Sequence, residues 1–155
     1  FMIKGLSKLT DAVHRHDGKI AIQLQHGGRF GNPPTSGCPR LLVSMIPGLA
    51  PTENARVMDA DDIEGMVEAY VQAARRAVEA GFDAVEIHGA HGYLLEQAAS
   101  VFTNHRTDGY GGSLAKRLRF PTQLVHAVRA AVDEDFPHPL PRYLHGGRTG
   151  TASTR

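Results

Sequence analysis

The stretch 59–88 constrains the fold more than any other part of this sequence. Asp59 stands at a typical N-cap position, and Gly81 stands where a helix would end. The residues between them predict an amphipathic helix with an apolar stripe of Ile63, Met66, Val67, Tyr70, Ala74, Ala77 and Val78. The segment 82–88 predicts a strand directly after the turn. A helix joined by a tight turn to a strand is the repeating unit of an α/β protein, which is the fold class we predict.

Three further segments have a predictable character. Leu6, Leu9 and Val13 are spaced as one face of a short helix, and the segment 19–26 alternates apolar and polar residues as a strand does. The segment 31–57 is rich in Pro, Gly and Ser, which predicts a long loop, either functional or a flexible surface excursion.

The C-terminal third holds one more helix and a segment of different composition. Ser113 can cap a helix that runs to Val132, but Pro121 lies within it. Because an interior proline costs about 3 kcal/mol, we expect the helix to start at Phe120-Pro121 or to kink there. We therefore predict one domain over residues 1–136 and an atypical, disordered tail over 137–155, which lacks Ile, Val and Met.

The composition excludes several classes of function. The formal net charge of +1 and the absence of Trp argue against a nucleic-acid partner. No apolar run approaches the roughly 18 residues that span a bilayer, so we expect no membrane segment. Cys38 is the only cysteine, which excludes a disulfide framework and cysteine-rich metal sites, and a reducing cytoplasm is the expected location.

The segment His88-Gly-Ala-His91-Gly-Tyr93 is the best candidate for chemistry. It directly follows a predicted strand, and ligands of α/β sheets and barrels lie at the carboxyl ends of the strands. Imidazoles can donate hydrogen bonds to a carbonyl oxygen, and a tyrosine can supply a proton. A His-x-x-His pair is also common by chance, and it could instead bind a metal with a third ligand such as Glu86 or His26.

Four motifs occur in order along the chain: Gln23-Leu-Gln-His-Gly-Gly-Arg29, the segment 73–83, the segment 85–95, and the loop 104–113 continuing to Phe120. Together they resemble the old yellow enzyme family. The similarity covers about 6–136. On the residues alone, Gln23 is a weak candidate, and the loop 104–113 favours a structural role in which Arg106 and Asp108 pin the chain.

The resemblance implies a TIM (β/α)₈ barrel that holds FMN and takes electrons from NADH or NADPH. The implied reaction reduces the C=C bond of a small α,β-unsaturated carbonyl compound. His88 and His91 would hold the substrate oxygen, Tyr93 would give a proton to the α-carbon, and Gln23 would bind the flavin. No metal is implied. The intact family member could be a homo-oligomer.

The sequence also departs from the family pattern. The family usually has Pro at Val101 and Asn at Lys116, and the next strand, with its FMN-binding Arg, is absent. We therefore expect a truncated fragment of the barrel, roughly its third and fourth β/α units, and the sequence leaves open whether this fragment is active. A start at Phe1 agrees with a fragment. The alternatives are a metal-dependent barrel hydrolase that uses His88 and His91, and a non-catalytic relic.

Overall fold

The computed structural model describes residues 2–49 and 53–132. The predicted tail 137–155 and the domain boundary at 136 lie outside these residues. A short 3₁₀ turn, Gly28–Phe30, follows the first strand. The helices and strands are α1 Met2–His14, β1 Ala21–Leu24, α2 Pro33–Ser36, β2 Arg40–Leu42, β3 Ala55–Val57, α3 Ala60–Glu79, β4 Ala84–Ile87, α4 Leu94–Ala99, α5 Leu114–Arg117 and α6 Arg119–Ala131.

The predicted helix–turn–strand step is confirmed. Asp59 caps α3 in a capping box: its carboxylate accepts the Asp62 N–H at 2.8 Å, and the Asp62 carboxylate accepts the Asp59 N–H at 3.0 Å. Gly81 follows the helix with φ +85°, a left-handed conformation that costs glycine little. The Phe82 N–H then donates to the Ala77 carbonyl at 3.1 Å, so the chain turns at once into β4.

The strands β1 and β4 are parallel neighbours, paired from Ala21 with Ala84 to Leu24 with Ile87. Because α3 lies in the connection between them, they form a β-α-β unit, and the α/β fold class is confirmed. Successive side chains point to opposite faces of a strand, so one face carries the apolar residues and the other carries Ala21 and Gln23, which are exposed.

The core lies between the apolar face of the sheet and the helices α3, α4 and α6. Leu94, Leu124, Val85 and Val128 are its largest fully buried apolar side chains. Two residues that we expected to face the core do not, since Leu9 and Val78 are 48% and 39% exposed. Among the described residues, no helix is long and apolar enough to cross a membrane.

One loop prediction needs correction, and one helix prediction is confirmed. The segment 31–57, which we predicted as a long loop, contains regular structure: α2 and the parallel pair β2–β3 lie within it. Each strand of that pair has three residues, too few to show a period. The expected break in the last helix is confirmed, because α5 ends at Arg117 and α6 begins at Arg119. Pro121 therefore lies in the first turn of α6, where its missing N–H breaks no helical hydrogen bond.

Asp83 lies directly before β4 and connects it to α1 and to the residues before β1. We expect Asp83→Asn to lower the urea midpoint, and to lower it more at about pH 6 than in acid. Its carboxylate accepts hydrogen bonds from His14 at 2.8 Å, the Ile20 N–H at 2.9 Å and Lys19 at 2.9 Å, and these hold its pKa well below the usual range. A depressed folded-state pKa adds stability above the unfolded pKa of 3.8, and this stability is lost as the pH falls through the folded value.

The difference between wild type and Asp83→Asn should therefore shrink steadily in urea melts below about pH 4. Asp11→Asn, on the exposed side of α1, is the matched control and should change the midpoint little at either pH. An Asp83→Asn effect of the same size at about pH 6 and in strong acid would contradict the assignment.

Candidate active site

The site lies at the carboxyl ends of β1 and β4, where the two strands run side by side. The His88 N–H donates to the Leu24 carbonyl at 2.9 Å, which extends the strand pairing by one residue. One turn further on, the Leu94 N–H at the start of α4 donates to the His26 carbonyl at 3.0 Å. The loops after both strands are thus held together at one edge of the sheet.

The three predicted catalytic side chains meet at this edge. The His88 ring centroid lies 5.0 Å from that of His91 and 5.3 Å from that of Tyr93. His88 is buried, while His91 is exposed and Tyr93 is partly buried. Two imidazoles and a phenol can therefore reach one small molecule.

The buried ring of His88 leaves one nitrogen without a partner. Its Nε2 atom makes no hydrogen bond with any of the described residues. Buried polar atoms in proteins are nearly always satisfied, so an ordered water, an ion or a bound ligand is the expected partner of this nitrogen. An oxygen atom of a bound molecule would satisfy this nitrogen.

The loop backbone places the second imidazole beside the first. His91 has φ +57° and Gly92 has φ +73°, so two consecutive residues are left-handed. The Gly92 N–H donates to the Glu96 carboxylate at 2.7 Å, which holds this turn against α4. A left-handed residue other than glycine costs about 1–3 kcal/mol, and such residues cluster at functional sites.

Gln23 lies on the exposed face of β1, opposite Glu86 of β4. Because side chains alternate along a strand, Gln23, Glu86 and His88 point to the same face of the sheet. The structure therefore places all four predicted site residues on one side, with Gln23 next to the histidine cluster along the sheet. An amide offers both a donor and an acceptor to the polar edge of a ring.

Two residues of this edge were missed by sequence reasoning. Phe30 is 62% exposed, and its ring meets that of Tyr93 edge-on with centroids 6.3 Å apart. Gln97 is buried, and its side-chain amide bonds to the loops after β1 and β4. A lone aromatic in a loop gives no pattern, but a Gln within the apolar run of α4 was a usable signal.

His26 lies in the loop that follows β1. Its Nδ1 accepts the Gly28 N–H at 3.1 Å, a role that requires the neutral ring. Burial lowers the pKa of His26, which favours that neutral form.

The loop 104–113 has the structural role that we favoured. The Arg106 guanidinium donates to the carbonyls of Val43 at 3.0 Å and Met58 at 2.5 Å. It also pairs with Asp108 at 2.5 Å and lowers the pKa of that carboxyl. These contacts tie the loop to the segments around β2 and β3.

The metal alternative has little support in the described part of the chain. Within residues 2–49 and 53–132, no group of three or more His, Cys, Asp or Glu side chains is placed to hold a metal ion. His26 and Glu86, which we had considered as a third ligand, complete no such group there.

Comparison with known proteins gives the family. The model of the NADH:flavin oxidoreductase / NADH oxidase family matches residues 2–141. The chain belongs to this family. It is 42% identical over 131 residues to the NADPH dehydrogenase of a Geobacillus species, and 40% identical over 138 residues to the 12-oxophytodienoate reductase 1 of Oryza sativa. Each alignment covers 84% of this chain.

The fold agrees with the family. The solved structure of morphinone reductase matches 86% of this chain with a TM-score of 0.77 and 37% identity. These relatives are old yellow enzymes with a TIM barrel, so the prediction of a partial barrel is confirmed. The chain spans 38% of the Geobacillus protein, 36% of the rice protein and 40% of morphinone reductase.

The family uses FMN and a reduced nicotinamide cofactor, and the described residues fit part of an FMN site. The exposed face of β1 presents the Gln23 amide, and the unpaired His88 Nε2 lies at the end of the neighbouring strand. The resemblance also placed an Arg on a following strand, and no strand follows α6 within residues 2–49 and 53–132.

Proposed function

We propose that this chain is the part of an FMN-dependent ene-reductase that binds and protonates the substrate. The observation that carries the proposal is the meeting of the His88, His91 and Tyr93 rings after β4, in which His88 Nε2 is buried and unpaired. The substrate would be a small α,β-unsaturated carbonyl compound, and NADH or NADPH would supply the electrons. The cytoplasmic location stays a prediction.

The two imidazoles suit the carbonyl oxygen of such a substrate. Hydrogen bonds from His88 and His91 would stabilise the negative charge that develops on this oxygen as the double bond is reduced. FMN, which Gln23 would help to hold, would supply the hydride chemistry that links the nicotinamide to the β-carbon. Tyr93 would donate its phenolic proton to the α-carbon and regain a proton from water.

Flavin titration tests this proposal. We expect the purified chain to quench FMN fluorescence saturably, and Gln23→Ala to weaken the binding about tenfold, because losing one or two hydrogen bonds costs about 1–1.5 kcal/mol. Gln123→Ala, at an exposed position of α6, is the matched control and should bind FMN as the wild type does.

Two outcomes would count against the proposal. Saturable binding that Gln23→Ala leaves unchanged would place the flavin elsewhere on the chain. An absence of quenching at high protein concentration would favour the non-catalytic relic.

A further inference from the structure

Gln97 is a buried polar residue in an otherwise apolar part of α4. Its side chain is 2% exposed, and its neighbours Leu94, Leu95 and Ala98 belong to the core. Burying an amide costs free energy unless its hydrogen bonds are made, so its contacts indicate why it is there.

The amide uses both of its donors and its acceptor. The Nε2 group donates to the Gly92 carbonyl at 2.5 Å and to the Gly27 carbonyl at 3.3 Å, and Oε1 accepts the Arg29 N–H at 3.1 Å. Gly92 belongs to the loop after β4, and Gly27 and Arg29 belong to the loop after β1. One side chain therefore ties together the two loops that form the site.

The packing around the amide is equally specific. Gly28 is left-handed, with φ +57°, and a Cβ atom there would lie 2.5 Å from Oε1 of Gln97. Two of the residues that bond to Gln97 directly precede aromatic residues of the site. Gly92 precedes Tyr93, and Arg29 precedes Phe30, whose ring contacts the Tyr93 ring. The amide thus fixes the backbone position next to both aromatic residues.

We propose that Gln97 is a positioning residue that sets the Tyr93 hydroxyl relative to β1, the strand that carries Gln23. The inference rests on the proposed function, since it assigns Gln97 to the geometry of proton donation. A displacement of about 1 Å at a reacting group can cost about a hundredfold in rate, so a tie of this kind has a measurable effect.

The test uses Gln97→Met, which keeps the size of the side chain and removes its hydrogen bonds. The readout is the nuclear Overhauser cross-peak between the Phe30 and Tyr93 rings in the full flavin-free chain. We expect this cross-peak to disappear, while the cross-peak between Thr10 and Gly81, at the opposite end of β4, remains. Gln123→Met, the same exchange at an exposed site, should leave both cross-peaks intact.

Gly28→Ala is the second variant, because its new Cβ would displace the same amide from the β1 loop. If the FMN-loaded chain is active, Gln97→Met should also lower kcat at least about tenfold and change the FMN Kd less than about twofold. A Phe30–Tyr93 cross-peak that persists in a folded variant would overturn the proposal. Unfolding of both variants would also overturn it, since Gln97 would then serve stability alone.

The flavin titration separates this inference from the proposed function. A wild-type chain that binds no FMN, but loses the ring cross-peak in Gln97→Met, would refute the proposed function of the chain and retain the tie between the loops. A chain that binds FMN but keeps the cross-peak in Gln97→Met would support the proposed function and refute the positioning role of Gln97.

Discussion

Replacing Arg106 with methionine is expected to lower the free energy of unfolding by about 3 kcal/mol, a large part of the 5–15 kcal/mol that is typical of a domain. The Arg106 side chain is 9% exposed and donates to the carbonyls of Val43 and Met58. The variant leaves both carbonyls without this donor, and each unsatisfied buried group costs about 1–3 kcal/mol. Urea denaturation followed by circular dichroism measures the change.

The exposed partner of Arg106 should contribute less to the free energy of unfolding. The Asp108 side chain is 48% exposed, so Asp108→Asn removes a largely solvated charge and should cost about 1 kcal/mol or less. Arg75→Met, on the exposed face of α3, is the matched control for Arg106→Met and should be near neutral. Similar losses in Arg75→Met and Arg106→Met would show that the buried contacts contribute little.

Local signals in the sequence predicted the β-α-β unit well. The cap at Asp59, the helical period and the glycine at position 81 each act within a few residues, and all three indicate the same boundaries. The structure confirms these boundaries to within two residues at the strand β4. The start of a new helix just before Pro121 was predictable to the same extent, because the ring acts on its own helix.

The grouping of the site residues was predictable for a similar reason. His88, His91 and Tyr93 lie within six residues, so one tight turn after a strand is enough to bring them together. The face of Gln23 followed from alternation along β1 once the pairing with β4 was known. Their chemical roles remain predictions that the flavin and kinetic experiments test.

Contacts between distant segments could not be predicted. The carbonyl partners of Arg106 lie 63 and 48 residues away along the chain, and the amide of Gln97 reaches back 70 residues to Gly27. Carbonyl groups occur at every residue, so the sequence carries no sign of which one a side chain will reach. The same holds for the short pair β2–β3, whose partners lack any repeating pattern.

Tyr93→Phe is expected to slow the reduction of a simple cyclic enone by the FMN-loaded chain about 10²–10⁴-fold, the range for losing a general acid. The substitution removes only the phenolic hydroxyl, so the ring keeps its contacts with His88 and Phe30. The transfer of hydride to the flavin should be unaffected, because that step takes no proton from Tyr93. Steady-state rates with the enone give the first quantity, and rates with ferricyanide, which accepts electrons without protonation at carbon, give the second.

The split between the two electron acceptors identifies the role of the hydroxyl. A lower rate with the enone and an unchanged rate with ferricyanide would show that Tyr93 acts in proton donation, because flavin binding and nicotinamide oxidation are common to both assays. Tyr110→Phe, which removes a hydroxyl from the structural loop 104–113, should change neither rate. Equal losses with both acceptors in Tyr93→Phe would instead indicate a distorted flavin site, and an unchanged enone rate would mean that another group or water supplies the proton.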